Sequence, residues 1–446
     1  MDAPADSAAL NLDTTQSGNG ARYLTRADIK TLMLAALGGA LEFYDFIVYG
    51  FLTPEIGKLF FPPGASDWVR DLQAYALFAV AYFARPLGGV ILAHFGDLSG
   101  RKRMFTLSIL LMALPTLAMG LLPTYESIGI LAPVLLLVLR ILQGAAVGGE
   151  VAGAWVFVSE HVPSRNVGFA CGTLTAGLTT GILLGSLAGT AMHTWLSPQD
   201  VLAYGWRILF IAGGVFGIIA MLLRQWLKET PVFAELQKRK ALVSEIPLKA
   251  VLKTHRKSTA ISMLLTWALT AGIIVIIVIT PSLMQKVLHL DSNSVYVAGS
   301  LATFGLSIGC VVAGWLGDRI GAKPVIFVGL LLMGGCYYTL YTNVAASPAL
   351  LLPLYGITGF TVGVVGCIPL VLVNLFRAQV RFSGVSFSYN LAYAIFGGLT
   401  PLLMPVFLKM NPQAPALYVV VVSFIGMAAV LLVPKPANGS AIPPPI

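Results

Sequence analysis

The chain has 446 residues, of which 57% are hydrophobic and only 11% charged, against about a quarter charged in a soluble domain. So much apolar surface excludes an ordinary water-soluble fold. The net charge of +9 does not call for nucleic acid, because the basic surplus lies in short segments between apolar runs, above all between Arg224 and Lys257.

Residues 1–28 are polar and contain no short apolar core with a small-residue cleavage site, so they are read as a cytoplasmic tail rather than a signal peptide. From Ile29 onward, runs of about twenty apolar residues recur, each long enough at about 1.5 Å per residue to cross about 30 Å of hydrocarbon. Spanning helices are predicted near 29–52, 72–95, 104–122, 129–157, 167–192 and 206–226. A polar stretch at 227–257 follows, rich in Lys, Arg and Glu. It is read as a cytoplasmic linker, solvated in preference to lying along the membrane through amphipathic pieces such as 233–240. Six further spans are predicted near 259–283, 294–316, 324–342, 348–373, 383–408 and 415–433, with a tail at 434–446. The fold class is therefore an all-α membrane protein of twelve transmembrane helices.

Orientation follows from the basic residues, whose outward translocation is disfavoured. The outer segments hold only Lys58, Arg70, Lys286 and Lys409, while Arg85, Arg140 and Arg207 lie within or at the edge of helices and the other 21 of the 28 fall on inner segments. Both termini are expected in the cytoplasm of a multi-pass inner-membrane protein. Cys171, Cys310, Cys336 and Cys367 all sit in predicted helices without a CxxC pair or metal-ligand spacing, as packing residues do.

The chain repeats itself. Gly96, Asp97, Gly100, Arg101, Lys102 and Arg103 follow the second span; Gly317, Asp318, Arg319, Gly321 and Lys323 follow the eighth, close to half the chain length further on. A weaker echo sets Arg165 and Gly168 against Arg381 and Gly384. Two pseudo-symmetric six-helix halves, 29–226 and 258–433, are implied. In each repeated turn the glycines permit tight reversal. The carboxylate and basic cluster can cap helix ends or pair with a neighbour in one conformational state, which makes Asp97, Arg101, Lys102, Arg103, Asp318, Arg319 and Lys323 gating candidates.

These duplicated turns resemble the signature loop of the major facilitator superfamily, over essentially the whole spanning region. The runs ALEFYDFIVYG at 40–50, ARPLGG at 84–89, RILQG from 140 through Glu150, GWR at 205–207, ETP at 229–231 and AIFGGLTP at 394–401 narrow the resemblance to the metabolite:proton symporter family. That family takes citrate, 2-oxoglutarate, shikimate, proline and betaines. Leu98 and Ala322 stand where the family loop usually has Arg. The seventh span, GIIVIIVITP from Gly272 to Pro281, is poor in polar and aromatic groups.

Ionisable side chains within the bilayer are costly and mark function by default. The first span carries Glu42 and Asp45, the second Arg85, the fourth Arg140 and Glu150. Glu42, Asp45, Arg85 and Arg140 fall at mid-span and are expected to meet at one level. A carboxylate facing a guanidinium is pulled both ways, since desolvation favours its protonated form and the cation its ionised form. By resemblance to proton-linked symporters, Asp45 leads as the proton site with Arg140 its partner and Glu42 close by; a permanent ion-pair network that only fixes packing is the alternative. Glu150, about 15 Å along the axis from Arg140, reads as a gate or packing residue. Solute contacts are expected from Tyr44, Tyr49, Arg85, Arg140, Gln143, Tyr389, Asn390 and Tyr393.

These features predict proton-coupled symport of a small organic carboxylate, which two guanidiniums can hold bidentately. The alternative is a zwitterion such as proline or glycine betaine. Drug antiport is disfavoured by the missing proline in the glycine-rich fifth span. No nucleophile, metal or phosphate-loop motif appears, so neither an enzyme nor a cofactor is expected. The partners are the solute, H⁺ and the lipid bilayer, for a chain working as a monomer.

Overall fold

The computed structural model describes residues 23–227, 229–238 and 247–433, and these contain helices and no strand. Twelve long helices are present: α1 Arg26–Phe51, α2 Asp67–Ser99, α3 Arg101–Leu121, α4 Leu131–His161, α5 Val167–Trp195 and α6 Trp206–Gln225 in the first half. In the second are α7 Arg256–Gln285, α8 Ser292–Ile320, α9 Ala322–Asn343, α10 Pro348–Asn374, α11 381–410 and α12 Ala414–Leu431. Counted over the described residues, ten of these helices are long and apolar enough to cross a membrane. Within α11 lies a π turn at Tyr393–Gly397.

Local chemistry sets several ends. Thr25 and Asp28 form a capping box at the start of α1, and the Asp291 carboxylate accepts the Ser294 N–H at 2.8 Å to start α8. The repeated turns are tighter than expected. α2 and α8 continue to Ser99 and Ile320, and the next helices begin at Arg101 and Ala322, so that each turn is a single residue. Gly100 has φ 114° and Gly321 φ 94°, in a region that glycine alone enters without strain.

Packing repeats with a six-helix shift. α2 packs on α4 as α8 packs on α10, α3 on α6 as α9 on α12, and α1 on α5 as α7 on α11. The halves meet where α5 lies along α8 and, in the corresponding place, α11 along α2. Glycines allow the closest approaches: a Cβ on Gly148 of α4 would stand 2.1 Å from the Arg85 carbonyl of α2, so the two backbones touch.

The linker departs from the expectation of a solvated connector. Pro231–Lys238 and Pro247–Thr254 are helical, and the second packs against α7 and α11 with Val251 fully buried. Of the piece singled out at 233–240, residues 239 and 240 lie outside the described residues.

Candidate functional site

On the face that carries the repeated turns the two halves are tied by carboxylates. Asp97, at the end of α2, accepts the Ser383 N–H at 3.0 Å and the Ser383 hydroxyl at 2.8 Å, at the start of α11. Asp318, at the end of α8, accepts the N–H groups of Gly168 and Phe169, both at 2.7 Å, at the start of α5. Each acid thus caps a helix N-terminus of the opposite half, where unsatisfied N–H groups and the helix dipole favour negative charge. Gly96 permits the approach, since a Cβ there would meet the Phe382 ring at 2.3 Å. Beside the first contact, Arg381 of α11 reaches Glu160 of α4 at 2.9 Å, with the glutamate side chain fully buried. This face of the molecule is closed.

The basic residues of the repeated turns behave differently. The Lys102 N–H is capped by Glu229 at 3.2 Å and its ammonium donates to the Gln225 carbonyl. Arg103 is exposed, Arg319 lies over Trp315 of its own helix at 5.4 Å, and Lys323 is half-buried in the first turn of α9. The Arg101 side chain lies outside the described residues. Of the gating candidates, the structure therefore brings Asp97 and Asp318 to the seam.

Nearer mid-membrane, Arg85 sits between the halves. It is 2% exposed, its Nε donates to the Asn390 Oδ1 at 3.3 Å, and its Nη2 is buried without a hydrogen-bond acceptor. Its guanidinium faces three tyrosine rings, Tyr393 at 4.3 Å, Tyr389 at 5.5 Å and Tyr82 at 5.7 Å. The Tyr82 and Tyr393 rings stack at 6.0 Å, and Trp155 stands edge-on to Tyr389 at 4.9 Å. Asn390 is held in turn, its amide donating to the Gly148 carbonyl at 2.6 Å and the Ser386 carbonyl at 2.8 Å. The expected residues Arg85, Tyr389, Asn390 and Tyr393 do come together. Tyr82, Trp155 and Ser386 join them.

Arg140 occupies a second cluster, inside the first half. It is fully buried, donates to Gln143 and lies 4.0 Å over the Tyr49 ring and 5.6 Å from that of Phe78. Gln143 passes the chain on to the Thr116 hydroxyl at 2.8 Å. The expectation that Arg85 and Arg140 share one cluster is thus replaced by two, joined by aromatic rings: Tyr49 stacks on Phe78 at 6.2 Å, and Phe78 stands edge-on to Tyr82 at 5.3 Å. Tyr44 turns away toward α6, its hydroxyl donating to the Leu209 carbonyl at 3.4 Å and its ring against Phe216. Glu42 and Asp45 lie on α1, and their side chains fall outside the described residues.

Glu150 is buried with Arg224 of α6 at 2.5 Å and accepts from Ser108 of α3. These partners belong to its own half, so it braces α3, α4 and α6 rather than the seam. Arg224 itself, expected among linker charges, is a fully buried residue of α6. Arg207 caps α3 by donating to the carbonyls of Gly120 at 3.0 Å and Leu122 at 2.8 Å.

The family model of the Major Facilitator Superfamily matches residues 35–376 and 262–445. The chain belongs to the major facilitator superfamily. Its relatives fall in the metabolite:proton symporter kind. It is 33% identical over 92% of its length to the glycine betaine/proline/ectoine/pipecolic acid transporter OusA of Dickeya dadantii, covering 84% of that protein. It is 31% identical over 92% of its length to the proline/betaine transporter of Escherichia coli, again covering 84%. Among solved structures, the proton:xylose symporter XylE bound to 6-bromo-6-deoxy-D-glucose superposes with a TM-score of 0.77 at 17% identity, over 94% of this chain and 98% of that one. The protein is a multi-pass membrane transporter of small solutes and not an enzyme.

In the major facilitator fold the solute path runs between the repeats near mid-membrane, where the Arg85 box lies. Sequence reasoning missed Tyr82 because an aromatic in an apolar run carries no distinguishing signal. Arg381 was legible as one member of the repeat, yet nothing in the sequence pairs it with Glu160.

Proposed function

We propose that this transporter carries a zwitterionic osmolyte of the proline or betaine type inward together with H⁺. This replaces the organic carboxylate favoured on sequence grounds. The observation that carries the reading is the substrate named for relatives that align with nine-tenths of the chain. The site agrees with it. In the Arg85 box one guanidinium is flanked by three tyrosine faces, which suits one carboxylate and one ammonium better than a polyanion.

In the proposed cycle the cytoplasmic seam opens and closes as the two halves rock about the site. Opening requires that Asp97 and Asp318 leave the helix ends they cap and that Arg381 leave Glu160. Proton coupling is assigned to Asp45 and Arg140. The register of α1 puts position 45 one turn before Tyr49, whose ring covers Arg140. A proton arriving at that carboxylate removes its charge, and the aromatic run through Phe78 and Tyr82 joins the neighbourhood of Arg140 to Arg85. Both termini are placed in the cytoplasm.

The test is uptake into proteoliposomes under an inward proton gradient, with labelled glycine betaine and proline beside citrate, 2-oxoglutarate and shikimate. The expected result is accumulation of the zwitterions, abolished by a protonophore, and accumulation of none of the carboxylates. The variant Asp45→Asn should keep exchange while losing proton-driven accumulation. Gradient-driven citrate uptake without betaine uptake would overturn the substrate reading, and unchanged accumulation in Asp45→Asn would remove that residue from coupling.

A further inference from the structure

We infer that Tyr82, Tyr389 and Tyr393 form a cage for the ammonium group of the solute, which in this conformation is filled by the chain's own Arg85 guanidinium. This rests on the zwitterion reading above and assigns its two charges to particular atoms. Three aromatic faces between 4.3 and 5.7 Å of one buried cation make an arrangement whose attraction is for positive charge as such, with no demand for N–H donors. A quaternary or secondary ammonium satisfies it as well as a guanidinium does.

The exchange is balanced in charge. When a zwitterion enters, its carboxylate accepts from Arg85, whose Nη2 already lies buried without an acceptor, and its ammonium takes the ring faces. The solute adds no net charge, so the site gains an ion pair and remains formally as before. Citrate or 2-oxoglutarate would bring negative charge that nothing else in the box offsets.

Placement supports the assignment. Tyr82 belongs to α2 and Tyr389 and Tyr393 to α11, so the cage is complete only while the halves meet there. Tyr393 opens the π turn of α11, a helix irregularity common at functional sites, and Gly397 gives its ring room, since a Cβ there would stand 3.0 Å from the Tyr393 Cδ1. The Arg140 cluster lacks this placement: its aromatics, Tyr49 and Phe78, belong to a single half.

The methylation series glycine, sarcosine, dimethylglycine and glycine betaine tests the cage, with labelled betaine uptake competed by each in proteoliposomes of wild type, Tyr393→Phe, Tyr393→Leu and Tyr82→Leu. The expected result is that Tyr393→Phe keeps the wild-type preference for betaine within about twofold, while either Leu variant loses roughly 10- to 30-fold in betaine affinity and much less for glycine. The ratio across the series is the readout, because a tyrosine that only supported packing would weaken every competitor alike. An unchanged ratio in both Leu variants, or an equal loss for all four ligands, overturns the cage. Wild-type protein that moves carboxylates and none of the series would instead refute the zwitterion reading.

Discussion

Replacing Asp318 with asparagine isolates one of the two carboxylates at the seam between the halves. The native side chain accepts two backbone N–H groups at 2.7 Å from the first turn of α5. Asparagine keeps one acceptor oxygen and loses the charge. A hydrogen bond to a charged group contributes about 1.5–3 kcal/mol, and a charge on a helix N-terminus typically adds about 0.3–1 kcal/mol. The closed form should therefore lose about 2–3 kcal/mol, which at about 1.4 kcal/mol per decade moves the closed-to-open ratio roughly 30- to 150-fold. Cys171 and Cys310 report it, being fully buried where α5 meets α8. In inside-out vesicles, with the half-buried Cys336 replaced by serine, maleimide labelling of these thiols should accelerate by about that factor. A labelling rate equal to that of the Asp318-containing control, in protein that still unfolds cooperatively, would refute the claim that this carboxylate holds the seam.

Three further outcomes are expected. Arg381→Ala breaks a buried pair whose loss costs about 3–5 kcal/mol and should open the same thiols, whereas Arg165→Ala, at the equivalent repeat position but exposed and stacked on Tyr23, should change labelling less than about twofold; equal effects would refute the asymmetry. Gly148→Ala drives a Cβ into the Arg85 carbonyl and should cost about 1–3 kcal/mol or more in thermal unfolding while weakening solute uptake, with Gly335→Ala, where a Cβ meets nothing within 4 Å, as the neutral control. His255, just ahead of α7, is buried and beside Arg377, and burial first and that cation second hold its pKa below 6.5. Its unfolded form binds the proton more readily, so stability is fully present above pH 6.5 and declines as pH falls below it. His255→Gln should flatten the unfolding temperature between pH 7 and 5; an identical slope would refute the assignment.

The sequence carried the architecture because membrane spans are written in composition and half-chain symmetry in the repeated Gly-Asp turns. It placed the helices within a few residues, and erred mostly at the ends that carry the repeated turns, where polar residues read as loop continue the helix to Gly100 and Gly321. The role of Asp97 and Asp318 was legible in kind, since an acid near a helix end seeks N–H groups. Their partners were not, because Gly168, Phe169 and Ser383 look like ordinary helix starts. The basic neighbours were overvalued for the same reason: a long cationic side chain satisfies itself against the nearest carbonyl or ring. Arg85 was found by its cost in a bilayer, whereas Tyr82 became visible only when α11 brought two further tyrosines against it. Arg224 was read as a topological charge although Glu150 holds it inside α6.

The reciprocal capping at the seam has the form of an isologous contact. Each half offers the same acid and the same receiving helix end, as two identical subunits related by a two-fold axis would. A lone six-helix unit bearing both parts is self-complementary and can close on a second copy of itself, so the single chain has the construction of a dimer whose protomers have been joined. What the joining adds is the freedom for the two sides to differ, and the Glu160 to Arg381 bridge, which among the described residues has no counterpart at Arg165, is where this molecule has used it.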